Sequence, residues 1–168
     1  MVKEESKILA FLAVPGLLKR MRSDELSPDH NGTILLAEDN LQDVELFELA
    51  LTRVGYDVRV HAVSRGEEVI EYLRERKQNG TGSKVSLPRL VVLDGKLGGM
   101  SGLQALKWLR QQREFNSLPV IVLSGSGNPG DRERAEALGA NAYEIKPQNF
   151  EEFVAVMKKV CDFWLRGG

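Results

Sequence analysis

The sequence predicts an α/β protein built on a doubly wound parallel sheet, and three observations carry that prediction. Two short runs are apolar at every position, Leu90-Val91-Val92-Leu93 and Val120-Ile121-Val122-Leu123, as in strands covered on both faces. Strand-like runs alternate with helical periodicity five times beyond residue 32, the pattern of βα units joined by right-handed crossovers. At 168 residues, 42% of them hydrophobic, the chain has room for one well-buried domain and some extra length.

Residues 1–31 stand apart as an N-terminal extension, and residues 32–168 read as the domain itself. The extension holds an apolar stretch (8–18) broken by Pro15-Gly16, a charged stretch (19–25), and Ser27-Pro28-Asp29-His30-Asn31-Gly32, which reads as a linker or turn. The apolar stretch is too short to span a bilayer. Its front end, Lys3-Glu4-Glu5, is acidic as well as basic, unlike a signal peptide. The chain therefore reads as cytoplasmic.

The first strand spans 33–37 and ends in Glu38-Asp39-Asn40. A helix over 41–54 follows, with Val44, Phe47, Leu51 and Val54 on one face, Asn40 as its cap and Gly55 at its end. A short strand over 57–61 leads to a second helix, capped by Ser64 and reaching about residue 77. Residues 78–87 form a polar loop before the central strand, which runs straight into Asp94 and a glycine-rich loop. Ser101 caps a third helix to about residue 113, carrying Leu103, Leu106, Trp108 and Leu109. After the fourth strand come Ser124, a Gly/Ser-rich loop and a short helix over 131–138 stopped by Gly139. A fifth strand over 142–145 precedes Lys146-Pro147. Asn149 then caps a last helix with Phe153, Met157, Val160 and Trp164 inward. Five such units most often take the flavodoxin-like (βα)5 arrangement with strand order 2-1-3-4-5.

Charged residues make up 28% and nearly cancel, for a formal net charge of −1, so bulk charge gives no nucleic-acid-binding surface. The single cysteine, Cys161, excludes an internal disulfide and a cysteine-based zinc site; its helical, apolar setting makes it a packed thiol. His30 and His61 lack metal-ligand spacing and read as surface residues. Trp108 and Trp164 read as packing or interface residues.

In the order 2-1-3-4-5 the first and third strands are neighbours, so their carboxyl ends bring Glu38, Asp39 and Asp94 into one crevice. Ser124 and Lys146 flank the same edge. Crowded carboxylates need an offsetting charge, and an all-oxygen set suits a hard divalent cation, Mg²⁺ first. Asp94 beside such a cation is a candidate nucleophile for phosphoryl transfer. Lys146 offers a point charge and Ser124 a hydroxyl to the phosphoryl oxygens. An acidic pair before a helix is by itself often only a cap; five fitting residue types at strand ends are harder to obtain by chance.

Over residues 33–165 the chain resembles the receiver domain of bacterial two-component response regulators. The landmarks are Leu35-Leu36-Ala37-Glu38-Asp39-Asn40, Val91-Val92-Leu93-Asp94, Gly99-Met100-Ser101-Gly102, Val120-Ile121-Val122-Leu123-Ser124, Leu138-Gly139-Ala140 and Ile145-Lys146-Pro147. The resemblance implies that Asp94 accepts a phosphoryl group from the phosphohistidine of a sensor histidine kinase. It also implies that Asp39 ligates Mg²⁺, that Glu38 helps through water and that the Lys96 carbonyl completes the protein ligands. Ser124 and Tyr143 would form the switch pair, the ring turning inward as the hydroxyl moves to the phosphoryl group. The Lys146-Pro147 bond is expected to be cis. The loop over 78–87 and the ending Asp162-Phe163-Trp164-Leu165 resemble stand-alone, phytochrome-associated regulators, which makes a phytochrome-type kinase the expected partner.

Two departures matter. Leu97-Gly98 replaces the usual Leu-Pro or Met-Pro, an expected loosening of the loop. Lys96 stands two residues after the expected phosphoacceptor, at a site that tunes acyl-phosphate lifetime in the family this chain resembles, and predicts slow self-dephosphorylation. Only three residues follow Leu165, so output is expected through a partner or a homodimer using the last two helices and fifth strand, without direct nucleic-acid binding. The chain is then no enzyme beyond its own phosphorylation and dephosphorylation. The alternative is a receiver-like adaptor that works without phosphate. A flavin-binding or phosphohydrolase reading fits poorly, since Glu38-Asp39 and Lys96 stand where those would need a phosphate loop and a second aspartate.

Overall fold

The structure, a computed structural model, describes residues 32–79 and 86–165. The expected extension over 1–31, with His30, and most of the polar loop before the central strand lie outside the described residues. The element order is β1 (Thr33–Ala37), α1 (Leu41–Arg53), β2 (Arg59–Val63), α2 (Gly66–Asn79), β3 (Leu90–Asp94), α3 (Gly102–Gln111), β4 (Val120–Ser124), α4 (Pro129–Ala137), β5 (Ala142–Ile145) and α5 (Phe150–Trp164). All five strands are parallel, in the order 2-1-3-4-5, as the alternation predicts.

Side chains alternate across the sheet because successive strand residues point to opposite faces. Ile34, Leu36, Leu90, Val92, Ile121 and Leu123 pack on one face against Phe47 and Leu51 of α1 and Met157, Val160 and Cys161 of α5. Leu35, Ala37, Val91, Leu93 and Val122 pack on the other against Val69, Leu73, Leu106, Leu109 and Ala135 of α2, α3 and α4. Every residue of β3 and β4 is buried, which is why those segments carry no polar alternation. Cys161 is fully buried, and burial pushes its thiol up to about 12. Trp108 packs against Phe115, ring centroids 5.8 Å apart, and the Arg74 guanidinium lies over its ring. Trp164 is half-buried on the α5 side.

Several boundaries differ from the expectations. β2 begins at Arg59 rather than 57 because its register is set by pairing, Thr33 opposite Arg59 and the Arg59 N–H on the Gly32 carbonyl. An edge strand with mostly exposed residues has no apolar stripe to announce that register. Ser64 does not cap α2, which starts at Gly66; the Glu68 carboxylate instead reaches back to accept from the Ser64 N–H and the Arg65 guanidinium. α3 stops at Gln111, and Gln112 is extended ahead of one 3-10 turn, Arg113–Phe115. α4 begins two residues early, with Asn128 as its cap and Pro129 in its first turn, where proline's missing N–H costs nothing. The caps Asn40, Ser101 and Asn149 accept backbone N–H bonds as expected, and Gly55 ends α1 at φ +78°.

Candidate functional site

Parallel pairing does the gathering. Ala37 lies opposite Leu93, so Glu38 and Asp39, just past β1, face Asp94 at the end of β3. Ser124 ends β4, and the Lys146 N–H donates to its carbonyl at 2.8 Å, which seats the lysine at the same edge. Glu38, Asp94 and Ser124 are the buried polar or charged residues among those described. One oxygen from each of Glu38, Asp39 and Asp94 lies within 4.8 Å of the others.

Lys146 closes the pocket. Its Nζ donates to Glu38 Oε2 at 2.5 Å, Asp94 Oδ2 at 2.8 Å and Asp43 Oδ2 at 2.9 Å. Burial alone would lower the lysine pKa, but the bonds to Asp94, Glu38 and Asp43 outweigh it and raise it above the usual lysine value. Burial raises the Glu38 pKa, with the Asp94 charge adding to the rise and the lysine opposing it. Three carboxylates therefore share one ammonium with Asp39 beside them, and that excess of negative charge, with all-oxygen donors, fits a hard cation. Glu38, Asp39 and Asp94 are the residues that would hold it.

Backbone groups position the rest. Asp94 Oδ1 accepts from the Lys96 N–H at 2.9 Å, and Glu38 Oε1 from the Asn40 N–H at 3.1 Å. The Lys96 side chain is exposed. Ser124 Oγ lies directly over Gly95, where an added Cβ would stand 2.6 Å away, and it accepts from the Ser126 N–H. Gly102 is backed against the Asp94 carbonyl, 2.2 Å from where a Cβ would sit. Tyr143 is already turned inward and buried, its hydroxyl donating to the Ser126 carbonyl at 2.8 Å.

Two expectations change. The Lys146-Pro147 bond is not cis, since no peptide bond among the described residues is; the four-carbon lysine stem reaches all three carboxylates from a trans bond. Nor is the loop after Asp94 simply loosened by Gly98. The Gly98 N–H, which proline would lack, donates to Asp39 Oδ2 at 3.3 Å. The Met100 N–H donates to Glu67 Oε1 and the Gly66 N–H to the Met100 carbonyl, pinning the loop to α2. Asp43 was not among the expected site residues. It sits in the first turn of α1, three residues after the cap Asn40, and an acid there reads simply as a dipole partner.

The comparisons agree with this geometry. The family model described as "Response regulator receiver domain" matches residues 34–158. The probable methanogenesis regulatory protein FilR2 of Methanothrix harundinacea is 32% identical over 142 residues, covering 84% of this chain and 89% of that protein. The crystal structure of the phosphorylated cyanobacterial phytochrome response regulator RcpA is 31% identical with a TM-score of 0.71, covering 82% of this chain and 96% of that one. The Mn²⁺-bound form of response regulator Rcp1 is 25% identical with a TM-score of 0.70, over the same shares. The chain belongs to the receiver domain family of two-component response regulators.

Proposed function

We propose that this chain is a phosphorylation-controlled signalling module in which Asp94 is the phosphoacceptor. The observation that carries the reading is the shared pocket of Glu38, Asp39 and Asp94 closed by Lys146. The Asp94 carboxylate attacks the phosphorus of a kinase phosphohistidine; the P–O bond forms as the P–N bond breaks, and the imidazole leaves. Magnesium, when bound by Asp39, Asp94, the Lys96 carbonyl and, through water, Glu38, offsets charge on the phosphoryl oxygens. Lys146 stabilises the same oxygens as a fixed cation, and Ser124 donates a hydroxyl. Ser124 and Tyr143 form the switch pair, and modification shifts the balance between the positions of the hydroxyl and the ring.

Residues 32–168 make up the receiver domain and residues 1–31 an extension. The partner is a sensor histidine kinase, and RcpA, a phytochrome response regulator by its description, favours a phytochrome-type one. Output runs through partner binding or a homodimer over α4, β5 and α5, without direct nucleic-acid contact. No helix among the described residues is long and apolar enough to cross a membrane, which accords with a place in the cytoplasm. The chemistry is confined to the chain's own phosphorylation and slow dephosphorylation.

Incubation with a small phosphodonor and Mg²⁺, followed by intact mass measurement, tests the reading. One phosphoryl group should be gained by the native chain and none by Asp94→Ala. No gain in the native chain would favour the phosphate-independent adaptor.

A further inference from the structure

A lysine ammonium has three N–H donors and no more. In this structure all three are occupied, by Glu38, Asp94 and Asp43. Lys146 therefore has no donor left for a phosphoryl oxygen and must release one carboxylate to bind it. The three differ in what release costs. The Glu38 side chain is 3% exposed, so release would leave a bare carboxylate out of water. Asp94 is the reacting group, and as an acyl phosphate it hands its contact to phosphoryl oxygens that carry more charge than the carboxylate did and draw the ammonium toward them. Asp43 is 35% exposed and lies in the first turn of α1, where water can take over its oxygens. Asp43 and Lys146 also line a shared hollow of about 100 Å³ next to Phe47 and Phe150, which leaves open space beside the Asp43 carboxylate.

We propose that Asp43 is a positioning residue, the exchangeable resting tether of Lys146 that the ammonium leaves when a phosphoryl group occupies Asp94. The inference rests on the reading of Asp94 as phosphoacceptor. Asp43 then opposes activation, since each phosphorylation event must first break its ion pair.

Beryllofluoride, which takes the place of a phosphoryl group on an aspartate, tests this on the full chain with Mg²⁺, its bound fluorines read by ¹⁹F NMR. Apparent affinity should rise from the native chain to Asp43→Asn, which keeps a neutral acceptor, and further to Asp43→Ala, by about fivefold, the upper end for a partly exposed ion pair. Glu45→Ala removes an equal charge from the same helix without touching Lys146 and should stay within about twofold of native. Equal affinity in Asp43→Ala, a loss, or a matching gain in Glu45→Ala would overturn the proposal. A crystal structure of the native adduct should show Nζ beyond about 4 Å from the Asp43 carboxylate; an intact pair would also overturn it. A native chain that takes up no beryllofluoride refutes the phosphoacceptor reading first, and this inference with it.

Discussion

Lys146 decides more of the pocket's energetics than any single acid. With one ammonium balancing carboxylates that include the buried Glu38 and Asp94, replacing it by methionine leaves those charges uncompensated. Lys146→Met should cost about 3 kcal/mol of stability, seen as a lower urea midpoint, and added Mg²⁺ should restore part of it. Cys161 gives a cleaner pH signature. Its thiol is held neutral to about pH 12, above the ordinary value of 9.0, so the folded state resists ionisation that the unfolded chain allows. Stability attributable to this thiol is complete below pH 9 and falls as pH rises toward 12. The difference in unfolding free energy between native and Cys161→Val chains should be flat up to pH 9 and then shift in the variant's favour. Lys96 is exposed beside Asp94. Lys96→Asn should speed loss of the phosphoryl group, measured by the decay of labelled protein; equal rates would make the lysine merely solvated.

At the scale of elements, the β3–α3 loop carries the clearest consequences. Gly102 has no room for a side chain, since a Cβ would stand 2.2 Å from the Asp94 carbonyl. Gly102→Ala must push α3 off β3, at about 3 kcal/mol, and should lower the thermal midpoint and displace Asp94 together. Gly98 differs in kind: an added Cβ there meets only Asp39 Oδ2, at 3.9 Å, so Gly98→Ala should be tolerated. Gly98→Pro deletes the N–H that bonds Asp39, and calorimetric titration should show Mg²⁺ binding weakened about tenfold, the usual effect of losing a group that orients a metal ligand. The helices and buried strands were legible because their periodicity is local: Asn40, Ser101 and Asn149 announce caps, and β3 and β4 are apolar throughout. β2 lies two residues beyond its expected place because an exposed edge strand takes its register from its neighbour. The role of Asp43 was invisible because nothing near it in sequence says that Lys146, 103 residues away, will arrive.

The whole molecule is a device for placing distant residues at one sheet edge. The proposed output face carries exposed apolar groups: Ile145 in β5 is 43% exposed and Phe163 in α5 is 69% exposed, and a partner copy or target would bury them. Sedimentation with and without phosphodonor should show self-association that grows with modification and is weakened by Ile145→Glu. By itself the sequence determined the βα alternation, the two-sided core and the residue types of the pocket, because apolar period and helix caps act over a few neighbouring residues. Tertiary structure alone decided that one ammonium is shared among Glu38, Asp43 and Asp94, that Gly98 holds Asp39, and that the ring of Tyr143 lies inward. Those are distances between chain segments that only sheet pairing and helix packing bring together, so no local pattern encodes them.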